Sequence, residues 1–86
     1  MAKGTIRYWA AAKAAAGVDE EPFDAPTLEV ALAQAARRSG RSADFDRVVR
    51  RSSFLVDGAP VGTRPHGAIE LSEGAVIEVL PPFAGG

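Results

Sequence analysis

Cysteine is absent from the 86 residues. No disulfide can staple the fold, and the thiolate sites of zinc and iron–sulfur proteins are excluded. There is one histidine, His66, set between Pro65 and Gly67. With no thiolate or second imidazole to join it, it forms no metal set and reads as an exposed loop residue. No apolar run approaches the roughly eighteen residues of a membrane span. The opening Met1-Ala2-Lys3-Gly4-Thr5 lacks the apolar stretch of a signal peptide. The expectation is a cytoplasmic chain in reducing surroundings, without a membrane partner. A net charge of −1 gives no general electrostatic reason to expect nucleic acid.

Large apolar side chains are also scarce. The hydrophobic fraction is 47%, but seventeen of those residues are alanines. A chain this short buries only about 60–65% of its extended surface. What remains suffices for one sheet packed against one helix layer, in a single domain. It is too little for a deep enclosed active site.

Along the chain, Thr5-Ile6-Arg7-Tyr8-Trp9 alternates, with Ile6 and Tyr8 on one face, and reads as a strand. Ala10 to Ala16 favours a two-turn helix stopped by Gly17. Glu21 to Ala25 reads as a weak strand that Pro22 confines to an edge. The main helix is expected from Leu28 to about Ser39, with Thr27 as N-cap, Leu28, Ala31, Leu32, Ala35 and Ala36 on one face, and Gly40 ending it. A shorter helical piece follows, capped by Ser42, with Phe45, Val48 and Val49 inward. Phe54-Leu55-Val56, Asp57-Gly58 and Ala59-Pro60-Val61 form a hairpin signal. Gly62 to Gly67 reads as loop, Ile69 to Leu71 as briefly extended, and Ser72-Glu73-Gly74 as a turn. Ala75 to Leu80 is the strongest strand, with Ile77 and Val79 inward and Glu78 outward. This order implies an α+β fold: a mixed sheet of about five strands, covered on one face by the main helix. Residues 1–80 form the domain and 81–86 a tail.

Several side-chain groups invite a functional reading. Glu20 with Glu21, and Asp44 with Asp46, read as solvated carboxylates rather than acid–base pairs, because no cleft is indicated. Arg37, Arg38, Arg41, Arg47, Arg50 and Arg51 place six of ten basic residues within fifteen positions. They read as helix-end charge on a solvated face, with an acidic partner or RNA as the competing account. On the closing strand, Val76 and Leu80 share the side of Glu78, and Leu55 joins them on the uncovered face. That is either a partner surface or ordinary incomplete burial.

The chain finishes Pro81-Pro82-Phe83-Ala84-Gly85-Gly86. Two prolines forbid a continued ladder and favour a stiff, extended exit. Six extended residues reach roughly 20 Å, enough to enter another protein's pocket. Glycine alone passes a narrow channel and takes any dihedral angle, and an unhindered glycyl carbonyl is the easiest to attack once activated. Phe83 could anchor the tail in a partner groove. A frayed end would tolerate the same glycines.

Leu80-Pro81-Pro82-Phe83-Ala84-Gly85-Gly86 resembles the ending of the small subunit of molybdopterin synthase, the MoaD-like sulfur carriers. Ile6-Arg7-Tyr8-Trp9-Ala10 with Lys13 and Gly17 resembles that family's opening, and Leu71-Ser72-Glu73-Gly74-Ala75 with Ile77 its closing turn and strand. The resemblance implies the ubiquitin-like β-grasp fold. It implies that a ubiquitin-activating-type enzyme, using ATP and Mg, adenylates the Gly86 carboxylate, and that a sulfur donor protein converts it to a thiocarboxylate. The tail, Pro81 to Gly85, then enters the large subunit of molybdopterin synthase and Gly86 gives sulfur to the pyranopterin precursor. The expected complex is a heterotetramer, and this chain binds no cofactor and is no enzyme on its own. Three positions depart from the family: Trp9 stands where it more often has Phe, Ala75 replaces a usual acidic residue, and Lys13 replaces an Arg that serves partner contact. That makes Lys13 a candidate partner residue beside Leu55, Val76 and Leu80. The competing readings are a carrier for thiamine thiazole or cysteine synthesis, a ubiquitin-like modifier, and a non-conjugating interaction module.

Overall fold

The computed structural model describes residues 2–38 and 40–82. Its strands are β1 (Ala2–Tyr8), β2 (Glu20–Ala25), β3 (Ser53–Val56), β4 (Ala59–Pro60) and β5 (Val76–Leu80). Its helices are α1 (Ala10–Ala16), α2 (Leu28–Ala36) and α3 (Ala43–Arg51), with a single 3-10 turn at His66–Ala68. The strands form one sheet in the order β2-β1-β5-β3-β4. β1 and β5 run parallel at its centre, and the other neighbours are antiparallel. This is the β-grasp arrangement.

Alternation sorts the strands into two faces. Ile6, Tyr8, Phe23, Ala25, Phe54, Ile77 and Val79 are buried on the inner face. The helices cover it with Ala12 and Ala16 of α1, Leu28, Ala31 and Ala35 of α2, and Phe45 of α3. Alanine suits this layer because it lets a helix axis approach the sheet closely. Each large aliphatic side chain buried there contributes about 1.5–3 kcal/mol.

Both prolines of the sheet sit where they cost no ladder bond. β2 and β4 are edge strands. Val61 donates its N–H to Phe54 O at 3.0 Å, so Leu55 and Pro60 form the intervening pair that exchanges no hydrogen bonds. Tyr8 donates to Asp19 O at 2.8 Å, which by the same alternation puts Thr5 and Pro22 in a non-bonded pair. The outer edge of β2 is then sealed by side chains. Gln34 accepts from Asp24 N at 3.2 Å and donates to Asp24 O at 2.5 Å, and Arg38 donates to the Pro22 carbonyl. A capped edge cannot recruit another strand.

Several boundaries depart from the sequence reading. β1 begins at Ala2 rather than Thr5, because Gly4 pairs with Phe23. A Cβ there would lie 2.2 Å from the Ala75 carbonyl oxygen and 2.7 Å from the Phe23 ring, so the glycine marks close packing rather than a break. α2 stops at Ala36, short of the expected end, and Ser39 lies outside the described residues. Arg37 donates to Gln34 O at 3.2 Å and Arg38 to Ala35 O at 3.3 Å. These i→i+3 bonds tighten the last turn before Gly40 is reached. Thr27 caps α2 as expected, accepting from Val30 N at 3.3 Å. Ser42 holds the N-cap position of α3 but makes no side-chain cap bond. The stretch expected as loop contains the start of the 3-10 turn, and His66 is half-buried, edge-on to Phe54 at 5.0 Å.

Candidate docking face and tail root

β5 is the strand from which the tail departs, and it is held on both sides. Its partners are β1, from Thr5 opposite Val76 to Tyr8 opposite Val79, and β3, from Val56 opposite Ile77 to Ser53 opposite Leu80. Ile77 and Val79 have no exposed surface. One further bond, Trp9 N–H to Val79 O at 3.2 Å, secures Val79, the residue before Leu80. Beyond it Pro81 is half-buried and Pro82 exposed. Pro81 and Pro82 therefore leave from a rigid root. Phe83, Ala84, Gly85 and Gly86, singled out in the sequence, lie outside the described residues.

The open face of the sheet carries Val76, Glu78 and Leu80 on β5, Leu55 opposite Glu78 on β3, and Thr5 and Arg7 on β1. Leu55, Val76 and Leu80 are half-buried, and the helices do not cover them. Trp9, 44% exposed, lays its indole beside them and donates from Nε1 to Glu78 Oε2 at 3.0 Å. Glu78 thus stands between Arg7 and Leu55 with its carboxylate held by Trp9. Lys13 stands at the margin on α1, paired with Asp19 at 3.1 Å. Both partners are more than half exposed, so the pair contributes at most about 1 kcal/mol and is readily exchanged for another partner. Lys13 shares a shallow cavity of about 220 Å3 with Arg7, Trp9 and Asp19.

The sequence places Glu78 with Val76, Leu80 and Leu55 on this face but does not bring Trp9 and Arg7 to it. The signal for Arg7 was present in its outward phase on β1. Joining it to the patch required knowing that β1 and β5 lie side by side.

The basic cluster divides. Arg41 is inside: its side chain is 8% exposed and meets Glu21, itself 9% exposed. Arg41 donates from Nε to Ala35 O at 3.1 Å and from its terminal nitrogens to Ala16 O and the Glu21 carboxylate. Its guanidinium lies 4.6 Å from the Phe45 ring centroid. Tyr8 donates its hydroxyl to the same carboxylate at 2.5 Å, and Arg38 approaches it at 3.6 Å. Glu21 is therefore neither a solvated carboxylate nor an acid–base candidate. It is the acceptor of a buried knot joining β1, β2, α1 and α2. Burial first, and then the hydrogen bond and charge of Glu21, push the Tyr8 phenol well above its ordinary value. Among the described residues no three His, Cys, Asp or Glu side chains converge as a metal set, and no helix is long and apolar enough to cross a membrane.

The model of the ThiS family matches residues 6–86. This chain belongs to the ThiS family. Its fold is shared with a Pyrococcus furiosus protein described as molybdopterin converting factor, subunit 1. The two are 24% identical, with a TM-score of 0.74 over 96% of this chain and 100% of that one. The small archaeal modifier protein 1 of Methanosarcina acetivorans is 17% identical, with a TM-score of 0.74 over 100% of this chain and 98% of that one. Subunits 1 and 2 of molybdopterin-converting factor from Helicobacter pylori were solved as a complex. A chain of that complex is 17% identical, with a TM-score of 0.68 over 98% of this chain and 99% of that one. At these identities the likeness is one of fold. No curated protein sequence matches the chain.

Proposed function

We propose that this member of the ThiS family is a sulfur carrier of molybdenum cofactor biosynthesis, charged on the carboxylate of Gly86. The observation that carries the reading is the central strand β5. It is locked between β1 and β3, ends at Leu80, and hands over to Pro81-Pro82 and a Gly85-Gly86 end.

The chemistry follows from what a carboxylate needs. One oxygen attacks the α-phosphorus of ATP, and pyrophosphate leaves. A sulfide equivalent from the donor protein then attacks the acyl carbon, AMP departs, and a thiocarboxylate remains. All of this takes place in the activating partner, which supplies ATP and Mg and excludes water. This chain supplies the acyl group and the surface that positions it. Its lack of cysteine leaves no side chain to hold the sulfur as a persulfide. Leu55, Val76 and Leu80, with Trp9, form an apolar surface that suits the activating enzyme and the large synthase subunit in turn, with Lys13 at its edge. Phe83 and Ala84 follow the prolines into the recipient's active site, and the synthase is a heterotetramer in the cytoplasm.

The test is a charging reaction containing ATP, Mg, the activating enzyme and a sulfur source, read by intact mass. Exchange of one oxygen for sulfur is expected, and deletion of Gly86 abolishes it without unfolding the domain. An unchanged mass would leave an interaction module. The likeness to an archaeal modifier favours one second reading, conjugation through Gly86. It would appear instead as an isopeptide to a lysine of another protein.

A further inference from the structure

Where the last turn of α3 meets β3, the structure leaves a groove of about 430 Å3. Its apolar wall is made by Leu32, Val49, Phe54 and Pro60. It stays uncovered because the β3–β4 ladder pairs only Leu55 and Val56. One more bond reaches Phe54 O, and then Arg64 captures the Val61 carbonyl at 2.9 Å and the Pro60 carbonyl at 2.8 Å. His66 forms one rim and Arg50 another. Arg50 also belongs to an adjoining depression of about 350 Å3, lined by Arg47, Arg51, Asp46 and Ala43. Three guanidinium groups there face one carboxylate. Arg47 is engaged by Asp44 at 2.8 Å, while neither Arg50 nor Arg51 has an ion-pair partner among the described residues. Opposing a helix dipole accounts for cations at this end of α3. It does not account for an apolar groove opening beside them.

We propose that this double groove docks an acidic segment of a partner protein. An apolar side chain of the segment rests on Leu32, Val49 and Pro60, and its flanking carboxylates meet Arg50, Arg51 and Arg47. Guanidinium groups bind carboxylates through paired, charge-assisted bonds, and this gives the charge of the segment its specificity. A nucleic acid strand is the poorer fit. Phe54, the aromatic ring of the wall, is buried at 6% exposure and offers no face for a base to stack on. The groove goes beyond the carrier reading and does not depend on it.

The experiment is a titration of 15N-labelled protein with a synthetic peptide of one leucine flanked by glutamates, followed by amide chemical shifts. ATP and the activating enzyme are absent, so failure here leaves the tail chemistry untouched. Saturable shifts at Val49, Arg50, Phe54 and His66 are expected, at a Kd of about 1 mM or tighter. Affinity should fall roughly tenfold or more in the double variant Arg50→Glu, Arg51→Glu, and should weaken with added salt. Both arginines are exposed, so unchanged shifts elsewhere verify the fold of the variant. Four results would overturn the proposal: no saturable shift, shifts centred on Val76 and Leu80, an affinity indifferent to the double variant, or equal binding of a lysine-flanked peptide or a single-stranded oligonucleotide.

Discussion

The same strands present two faces of opposite character. Inward, β1 and β5 place Ile6, Tyr8, Ile77 and Val79 against the helices, all at 2% exposure or less. Outward, the alternate residues of those strands are Thr5, Arg7, Val76, Glu78 and Leu80, half-buried or exposed. One residue step along a strand therefore separates a side chain that holds the fold from one free to meet a partner. The inner face even contains its own ion pair, whereas the outer Glu78 is bonded by a single indole. Stability thus rests on one side of the sheet, and the recognition we propose on the other.

The contrast breaks most sharply at Ile77→Ala, at about 2–5 kcal/mol, against Leu80→Ala, at under about 1.5 kcal/mol. In a pull-down of the large synthase subunit the order should reverse, Leu80→Ala costing the greater share of binding among folded variants. Next comes Arg41. Replacing it with Ala removes the nearer of Glu21's two cations, leaving Tyr8 and Arg38 on the carboxylate, and should cost about 2–3 kcal/mol in denaturant unfolding. The same change at exposed Arg37 should cost under about 0.5 kcal/mol. Equal costs at the two positions would remove the buried knot from the account.

Tyr8 sharpens the comparison by pH. Its phenol is pushed above the ordinary value near 10 in the folded state. Below that value the folded and unfolded states are both neutral at this site, and its contribution is fully present. As pH rises past it, the unfolded chain loses a proton that the folded chain retains, so stability falls. Tyr8 is the one tyrosine in the chain, so tyrosinate absorbance reports it alone. That absorbance should lag behind free tyrosine and appear together with unfolding. A normal titration in the intact fold would contradict the buried hydrogen bond to Glu21. The smallest effect belongs to Trp9, the one tryptophan. Its fluorescence should change when the activating enzyme binds, while Trp9→Phe should leave stability within about 1 kcal/mol.

Much of the architecture was legible because local chemistry and tertiary packing agree. Asp57 and Gly58 both take positive φ, 51° and 82°, as a two-residue hairpin demands. Gly17 stops α1 with φ 81° and its N–H bonded to Lys13 O. Alternation assigned Ile77 and Val79 inward. What stayed hidden depends on partners far apart in sequence. Glu21 and Arg41 look like surface charges until β2 and the turn before α3 bring them together. His66 looks like a loop residue until Phe54 lies beneath it. α2 ends before the expected Ser39 because the N–H groups of Arg37 and Arg38 close tight turns instead. Leu55, Val76 and Leu80 could be phased to one face, but Trp9 joins them only through the parallel pairing of β1 and β5. The terminal glycines are legible through composition and family likeness, and they lie outside the described residues.

Fragmentation mass spectrometry of the charged protein tests the central claim most directly. The account predicts that sulfur replaces one oxygen and is retained only in fragments containing Gly86. Sulfur found on any fragment lacking Gly86, or a charged species that persists after Gly86 is deleted, would contradict it.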